Sequence, residues 1–195
     1  MNTHHLTKAL ALAALAMSTA HAGVLSLQNA TITATYNGSA AGMLGLDHGF
    51  AAGPGTNTSM LDPTNSGVEF LTDDFLFGID FSAGGALTVI ANGAIPAGAY
   101  SMRFDFGTSL ASPIGAFTFV GTDGASGMPG LSIIDTHTIA LDLAGVQWNE
   151  FGSVTAQVST AAAVPEPSSI ALLAAGLVGL GLTRRMRTAR PPGGR

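Results

Sequence analysis

The chain has 195 residues, no cysteine and a formal net charge of −5. The lack of cysteine excludes disulfides, thiolate catalysis and zinc sites built on cysteine. Residues 23–164 contain Arg103 as their only Lys or Arg against eleven Asp and Glu, so this stretch carries a charge near −10. A domain this acidic repels phosphate backbones, and we therefore expect no nucleic-acid partner.

Residues 1–22 have the three parts of a secretory signal peptide. Lys8 provides a positive start, and residues 9–17 form an unbroken apolar run. This run is too short to span the ~30 Å hydrocarbon core of a bilayer, which favours a cleaved signal over a permanent anchor. The predicted site for signal peptidase comprises Ala20, Ala22 and Gly23.

Residues 23–163 are predicted to form an all-β domain. Short segments alternate between apolar and polar residues with a period of two, which is typical of half-buried strands. Clusters of Gly and Asn that favour turns separate these segments. We expect an antiparallel β-sandwich with a jelly-roll-like organisation. The predicted strands lie in residues 31–36, 75–81, 100–106, 116–120, 133–143, 146–151 and 154–158.

Three local predictions depend on this pattern. Residues 42–66 are rich in Gly, Pro, Asn, Thr and Ser, and they are predicted to form a long loop. Gly145 interrupts the apolar pattern and predicts a tight hairpin between the strands on either side of it. Phe75 is expected to face the core together with the other apolar residues of its strand, Phe77, Ile79 and Phe81.

The β domain lacks the common motifs of enzymes. It has no Gly-x-Ser-x-Gly elbow, no Gly-x-x-x-x-Gly-Lys phosphate loop and no His-Glu-x-x-His helix. We therefore expect a protein that is not an enzyme and that carries no cofactor. A glycoside hydrolase stays open as an alternative, because a sequence does not give the separation of its carboxylates. It is less favoured because nothing in the sequence singles out a pair.

Five residues of the domain are weak candidates for a binding site. Asp73 and Asp74 are adjacent carboxylates that would hold Ca²⁺ or else form a solvated turn. Tyr100 and Trp148 would stack against a sugar or else pack in the core. Arg103 lies on the polar face of its strand, where it would pair with a carboxylate of a neighbouring strand or else hold a substrate.

The C-terminal end has three parts in a fixed order. The first is a Pro-Glu-Pro motif, in which two prolines keep the chain extended, at Val164, Pro165, Glu166 and Pro167. Residues 168–183 follow as a predicted transmembrane helix, about 24 Å long at ~1.5 Å per residue. A membrane stop then precedes a basic cytoplasmic tail at residues 188–195, and the stop comprises Arg184, Arg185 and Arg187.

This order, over residues 164–187, resembles the PEP-CTERM sorting signal of Gram-negative bacteria. The resemblance implies recognition by an exosortase, a membrane-embedded cysteine protease, and cleavage near residues 165–167. It also implies transient anchoring in the inner membrane, followed by delivery to the cell surface or the extracellular matrix. Such proteins occur alongside exopolysaccharide production, so the resemblance implies a role associated with biofilm.

The leading hypothesis from the sequence is an exported, non-enzymatic protein of the cell surface or matrix. Signal peptidase and an exosortase are its expected processing enzymes. Exopolysaccharide is an expected partner in the matrix. The alternative is a carbohydrate-binding module that uses a face of the sandwich or the segment 42–66. A hydrolase with an unrecognised carboxylate pair is the third hypothesis.

Overall fold

A computed structural model describes residues 25–61 and 67–160 of the chain. These residues form two antiparallel β-sheets, which confirms the predicted all-β sandwich. The strands are β1 (Thr31–Tyr36), β2 (Met43–Gly45), β3 (Thr58–Met60), β4 (Phe70–Thr72), β5 (Phe77–Phe81), β6 (Ala86–Ala91), β7 (Ser101–Asp105), β8 (Ile114–Gly127), β9 (Gly130–Asp135), β10 (Thr138–Asp142) and β11 (Val146–Thr160). The predicted signal peptide and the segments 164–187 and 188–195 lie outside the described residues, so those boundaries remain predictions.

The two sheets differ in size. The smaller sheet has the order β3-β1-β7-β10-β9, and the larger has the order β2-β4-β5-β6-β11-β8. Most connections carry the chain from one sheet to the other, whereas β4, β5 and β6 follow one another within the larger sheet. The core therefore forms between sheets whose neighbouring strands come from distant parts of the sequence.

Alternating side chains explain why these segments form strands. In β1 the even-numbered residues Ile32, Ala34 and Tyr36 are buried, and the threonines between them point outward. In β7 the pattern is the same, with Met102 and Phe104 buried on the inner face. Each large apolar side chain buried in this way contributes roughly 1.5–3 kcal/mol. The largest fully buried aromatic side chains are Phe70, Phe77, Phe104 and Phe106.

The predicted position of Phe75 in the core is wrong. Phe77, Ile79 and Phe81 are buried as expected, but Phe75 is 54% exposed. The chain is still turning at Phe75, whose N–H donates to the carbonyl of Thr72 over 2.8 Å and whose φ is 58°. The alternation begins only at Phe77, where β5 starts.

The predicted long loop over residues 42–66 is wrong in part. This segment contains β2 and β3, the edge strands of the two sheets, and a 3₁₀ turn at Leu46–His48. The N–H of Gly45 donates to the carbonyl of Thr56 over 2.8 Å, and the side-chain amide of Asn57 donates to the carbonyl of Ala34 over 2.7 Å. Hydrogen bonds within the segment and pairing with β4 and β1, rather than a local apolar pattern, therefore order this part of the chain.

The predicted hairpin at Gly145 is also wrong. The strand before it, β10, belongs to the smaller sheet, and the strand after it, β11, belongs to the larger sheet. Gly145 instead marks a close approach, because a Cβ there would lie 2.7 Å from the carbonyl oxygen of Met128. The true hairpin lies earlier, at the turn between β9 and β10, where Asp135 accepts the N–H of His137.

Candidate functional site

Both ends of the described sandwich lie beside the turn between β5 and β6. The N–H of Leu27 donates to the carbonyl of Ala83 over 2.9 Å, and the N–H of Val158 donates to the carbonyl of Gly85 over 2.8 Å. A Cβ on Gly85 would lie 3.3 Å from the oxygen of Leu25 and 2.6 Å from that of Val158. We call this end, where the chain enters and leaves the sandwich, the proximal end.

An aromatic cluster lies at the opposite end of the strands, which we call the distal end. Phe77, the first residue of β5, forms its centre. The ring centroid of Phe77 is 5.2 Å from that of Tyr100 and 5.2 Å from that of Trp148. The ring of Tyr36 lies parallel to that of Tyr100, with centroids 6.3 Å apart. The structure thus brings the two aromatic candidates from the sequence against the same core residue.

Tyr100 and Trp148 are both half-buried rather than displayed on a flat face. The hydroxyl of Tyr100 donates to the carbonyl of Pro96 over 2.8 Å. The Nε1 of Trp148 is buried and has no hydrogen-bond partner among the described residues. Their packing on Phe77 gives both side chains a structural role, and only their outer edges face solvent.

Asp74 organises the turn between β4 and β5. Its Oδ1 accepts the hydroxyl of Thr72 over 2.6 Å and the N–H of Leu76 over 3.0 Å. Its Oδ2 accepts the hydroxyl of Tyr36 over 2.9 Å. Burial raises the pKa of Tyr36 above its usual range, and the hydrogen bond to Asp74 adds to this effect, so the phenol remains a donor at all physiological pH values.

The predicted calcium site at Asp73 and Asp74 stays a prediction. Both residues are exposed at the distal end, but both oxygens of Asp74 already accept hydrogen bonds from the protein. In the parts of the chain that the structure describes, no group of three or more His, Asp or Glu side chains is placed to hold a metal ion. The hydrogen bonds of Asp74 fit the alternative interpretation of a structured turn.

Sequence reasoning missed two exposed aromatic residues, Phe75 and Phe151. Phe75 is 54% exposed, and Phe151 is 67% exposed. Both have left-handed backbone conformations, with φ values of 58° and 60°. The sequence pattern predicted regular strands at both positions. In the structure, Phe75 lies in the turn before β5, and Phe151 lies where the pairing of β11 is irregular, between Trp148 and Ser153.

A buried carboxyl, Glu69, was also missed. Glu69 is 2% exposed, and its Oε2 accepts the N–H of Phe81 over 2.6 Å. Phe70, the residue after Glu69, pairs with Ile79, the residue before Asp80, across β4 and β5. Glu69 therefore lies near Asp80. Burial raises the pKa of Glu69 to about 7 from its ordinary value of 4.5, and the charge of Asp80 acts in the same direction. Burial also raises the pKa of Asp80.

Arg103 lies on the outer face of the smaller sheet, where it is exposed. After the hydrogen bond from the N–H of His137, the charge of Arg103 also lowers the pKa of Asp135 on β9. The residues directly opposite Arg103 are Thr35 on β1 and Ala140 on β10, so no carboxylate faces it directly across the sheet. Arg103 instead lines a shallow depression of about 410 Å³ together with Ser101 and Asp142. The depression is open, and its lining does not indicate a specific ligand.

The remaining predicted sites lie outside the described residues. These are the signal cleavage site, the Pro-Glu-Pro motif and the membrane stop. Among residues 25–61 and 67–160, the structure contains no helix that is long and apolar enough to cross a membrane.

Residues 163–185 match the family model of the PEP-CTERM protein-sorting motif. The match agrees with the resemblance found in the residues and shows that the chain carries this motif. A PEP-CTERM motif supports sorting to the cell surface by an exosortase. No curated protein and no solved structure matches the chain significantly. The sorting motif is therefore assigned by its family, whereas the function of the sandwich has to be argued from its own residues.

Proposed function

We propose that this chain is an exported, non-enzymatic protein whose β-sandwich is released intact to the cell surface or the extracellular matrix. The position of the sorting motif carries this proposal. The motif begins at residue 163, and the last strand of the sandwich ends at Thr160. Cleavage near residues 165–167 would therefore remove the predicted membrane helix without removing any strand.

The charge of the domain supports release into an aqueous matrix. Residues 23–164 carry eleven carboxylates and a single Arg, and most of the described carboxylates are exposed. Mutual repulsion between such surfaces keeps separate copies soluble after they leave the membrane. Transient anchoring in the inner membrane and an association with exopolysaccharide and biofilm are part of the proposal and follow from the family resemblance.

The surroundings of the candidate residues support a non-enzymatic role. Asp74 is engaged in the turn before β5, and Tyr100 and Trp148 pack on Phe77. Glu69 and Asp80 form a neighbouring pair of carboxyls, but Glu69 is 2% exposed and is closed to a sugar substrate. A hydrolase would need two carboxyl groups that flank a bond of the substrate in an open cleft.

The intact mass of the protein from the outer fraction of its native host tests this proposal. We expect a species that starts at Gly23 and ends between Pro165 and Pro167. Glu166→Ala should retain residues 168–195, whereas the matched change Glu150→Ala, outside the motif, should be processed normally. A wild-type species that still carries residues 168–195 would contradict release and indicate a permanent anchor.

Carbohydrate binding is a second function, and the exposed aromatic residues at the distal end favour it. Phe75 and Phe151 project from the end of the sandwich opposite to the one where the chain enters and leaves. Retardation of the protein in gels that contain polysaccharide, with loss in Phe75→Ala and Phe151→Ala, would support this function. Equal mobility in gels with and without polysaccharide would contradict it.

A further inference from the structure

Phe75 and Phe151 flank the distal end of β6 from the strands on either side. Phe77 lies two residues after Phe75 and pairs with Ala91, the last residue of β6. Ser153 lies two residues after Phe151 and pairs with Ile90, the residue before Ala91. Because β5 and β11 are both neighbours of β6, their backbones are about 10 Å apart. Both exposed phenylalanines therefore lie at this end of the larger sheet.

The backbone at both phenylalanines favours glycine. Their φ values of 58° and 60° lie in the left-handed region, where a side chain clashes with its own backbone. Neither ring contributes to the core, because both are more than half exposed. Two large apolar side chains are thus held at strained positions without a benefit to folding, which is a pattern that points to function.

Carboxylates accompany each ring. Asp73 and Asp74 precede Phe75, and Glu150 precedes Phe151. Asp73 and Glu150 are exposed, and their side chains make no hydrogen bond to another described residue. The single Arg of the domain lies away from them, on the outer face of the smaller sheet. The distal surface therefore combines aromatic faces with an uncompensated negative charge.

We propose that this surface, which we call the distal rim (Asp73, Phe75, Glu150 and Phe151), binds a polysaccharide that carries free amino groups. The inference rests on the proposed carbohydrate-binding function and names its ligand class. Aromatic faces attract cations, and carboxylates form charge-assisted hydrogen bonds with ammonium groups. The apolar faces of the sugar rings pack against Phe75 and Phe151, while Asp73 and Glu150 bind the amino groups.

Charge excludes other occupants of the distal rim. A polysaccharide rich in uronic acid or sulfate would be repelled by a domain with a charge near −10. A second copy of this chain would bring the same carboxylates face to face, which is unfavourable. Among polymers of the matrix, an amino-sugar chain supplies both the positive charge that complements the carboxylates and the apolar ring faces that pack against the phenylalanines.

Titration of the full-length chain in detergent micelles with soluble glucosamine oligomers tests the inference. Isothermal titration calorimetry should show binding that weakens with salt. The Phe75→Ala/Phe151→Ala double variant should raise the Kd about tenfold, and Asp73→Asn/Glu150→Gln should have a similar effect. Two controls on the smaller sheet, Ile134→Ala (a 52% exposed apolar residue) and Asp105→Asn, should leave the Kd unchanged.

Four outcomes would overturn the inference. Equal binding by the rim variants and the wild type would show that the distal rim is not the site. Equal binding of polylysine, with the same losses in the variants, would show that any polycation suffices. Binding of N-acetylated oligomers but not of glucosamine oligomers would refute the amino-sugar ligand and leave the carbohydrate-binding function in place. The absence of binding to every sugar tested would refute both the ligand and the carbohydrate-binding function.

Discussion

The hydroxyl of Tyr36 donates a hydrogen bond to Oδ2 of Asp74 over 2.9 Å. Tyr36 is the last residue of β1 in the smaller sheet, and Asp74 lies in the turn between β4 and β5 of the larger sheet. The bond therefore joins the two sheets at the distal end. It also holds the turn from which Asp73 and Phe75 project.

Replacing Tyr36 with phenylalanine tests this connection. Tyr36→Phe leaves the ring in place and removes one donor from Asp74, so we expect the free energy of unfolding to fall by about 1–2 kcal/mol. Tyr100→Phe is the matched control, because its hydroxyl bonds to a carbonyl near solvent, and its loss should cost less than about 1 kcal/mol. Urea denaturation measures both values. A larger effect at Tyr100 than at Tyr36 would disprove the connection between the sheets.

The pKa of Glu69 predicts how stability depends on pH. Its folded-state pKa of about 7 lies above the ordinary value of 4.5, so folding favours the protonated form. The stability that the neutral carboxyl provides is complete below about pH 4.5 and is lost as the pH rises towards 7. The free energy of unfolding should therefore decrease by up to about 3 kcal/mol over this range.

Two variants separate this carboxyl from the other acidic groups. Glu69→Gln still accepts a hydrogen bond from Phe81 but does not ionise, so its stability should depend less on pH between 4.5 and 7. Asp80→Asn removes the neighbouring negative charge and should move the transition to lower pH. Urea unfolding at a series of pH values gives the measurement. The same pH dependence in Glu69→Gln and the wild type would contradict the assignment.

Phe77 is expected to determine the stability of the distal end. It is fully buried, and its ring contacts Tyr36, Tyr100 and Trp148. Phe77→Ala should lower the free energy of unfolding by about 3–5 kcal/mol, because the cavity cannot close completely. It should also shift the fluorescence of Trp148, the only tryptophan of the chain, towards the red.

The exposed Phe151 provides the comparison for Phe77. Phe151→Ala removes the same number of atoms from a ring that is 67% exposed, so we expect a change within about 0.5 kcal/mol. Thermal unfolding and tryptophan emission can be recorded on the same samples. A loss of stability at Phe151 as large as that at Phe77 would mean that the exposed ring has an unrecognised structural contact.

The order of the segment 42–61 can be tested with two glycines. A Cβ on Gly45 would lie 2.5 Å from the carbonyl oxygen of Thr58, so Gly45→Ala should cost about 1–3 kcal/mol. Gly121→Ala is the control, because a Cβ there meets nothing within 4 Å and the φ of Gly121 is not positive. Hydrogen exchange should also show protection of the amide of Gly45. Rapid exchange there, with a neutral Gly45→Ala, would favour the loop that the sequence predicted.

The sequence predicted the strands that bury one face and expose the other. β1 and β7 are clear cases, because their alternating residues specify which side chains face the core whatever the neighbouring strand is. It did not predict β2 and β3, which have three residues each. Such short strands carry little periodicity, and hydrogen bonds to distant segments hold them in place.

The candidate site was predicted residue by residue but not as a surface. Tyr100 and Trp148 were recognised as aromatic residues, yet their half-buried packing depends on Phe77, which lies far from both in the sequence. Phe75 and Phe151 fitted the strand pattern, and only left-handed backbone conformations turn them outward. A period-two pattern in the sequence does not predict such local departures from strand geometry.

The sequence by itself determined the sorting motif and the alternation that produces an all-β domain. Both are encoded by consecutive residues, since a sorting motif is read along the chain and an alternating strand has one apolar face. Only the tertiary structure decided that the chain enters and leaves the sandwich at one end and that Phe75 and Phe151 both lie at the other end. The physical reason is that β5, β6 and β11 become neighbours through hydrogen bonds between segments remote in sequence, and local residue patterns do not specify that pairing.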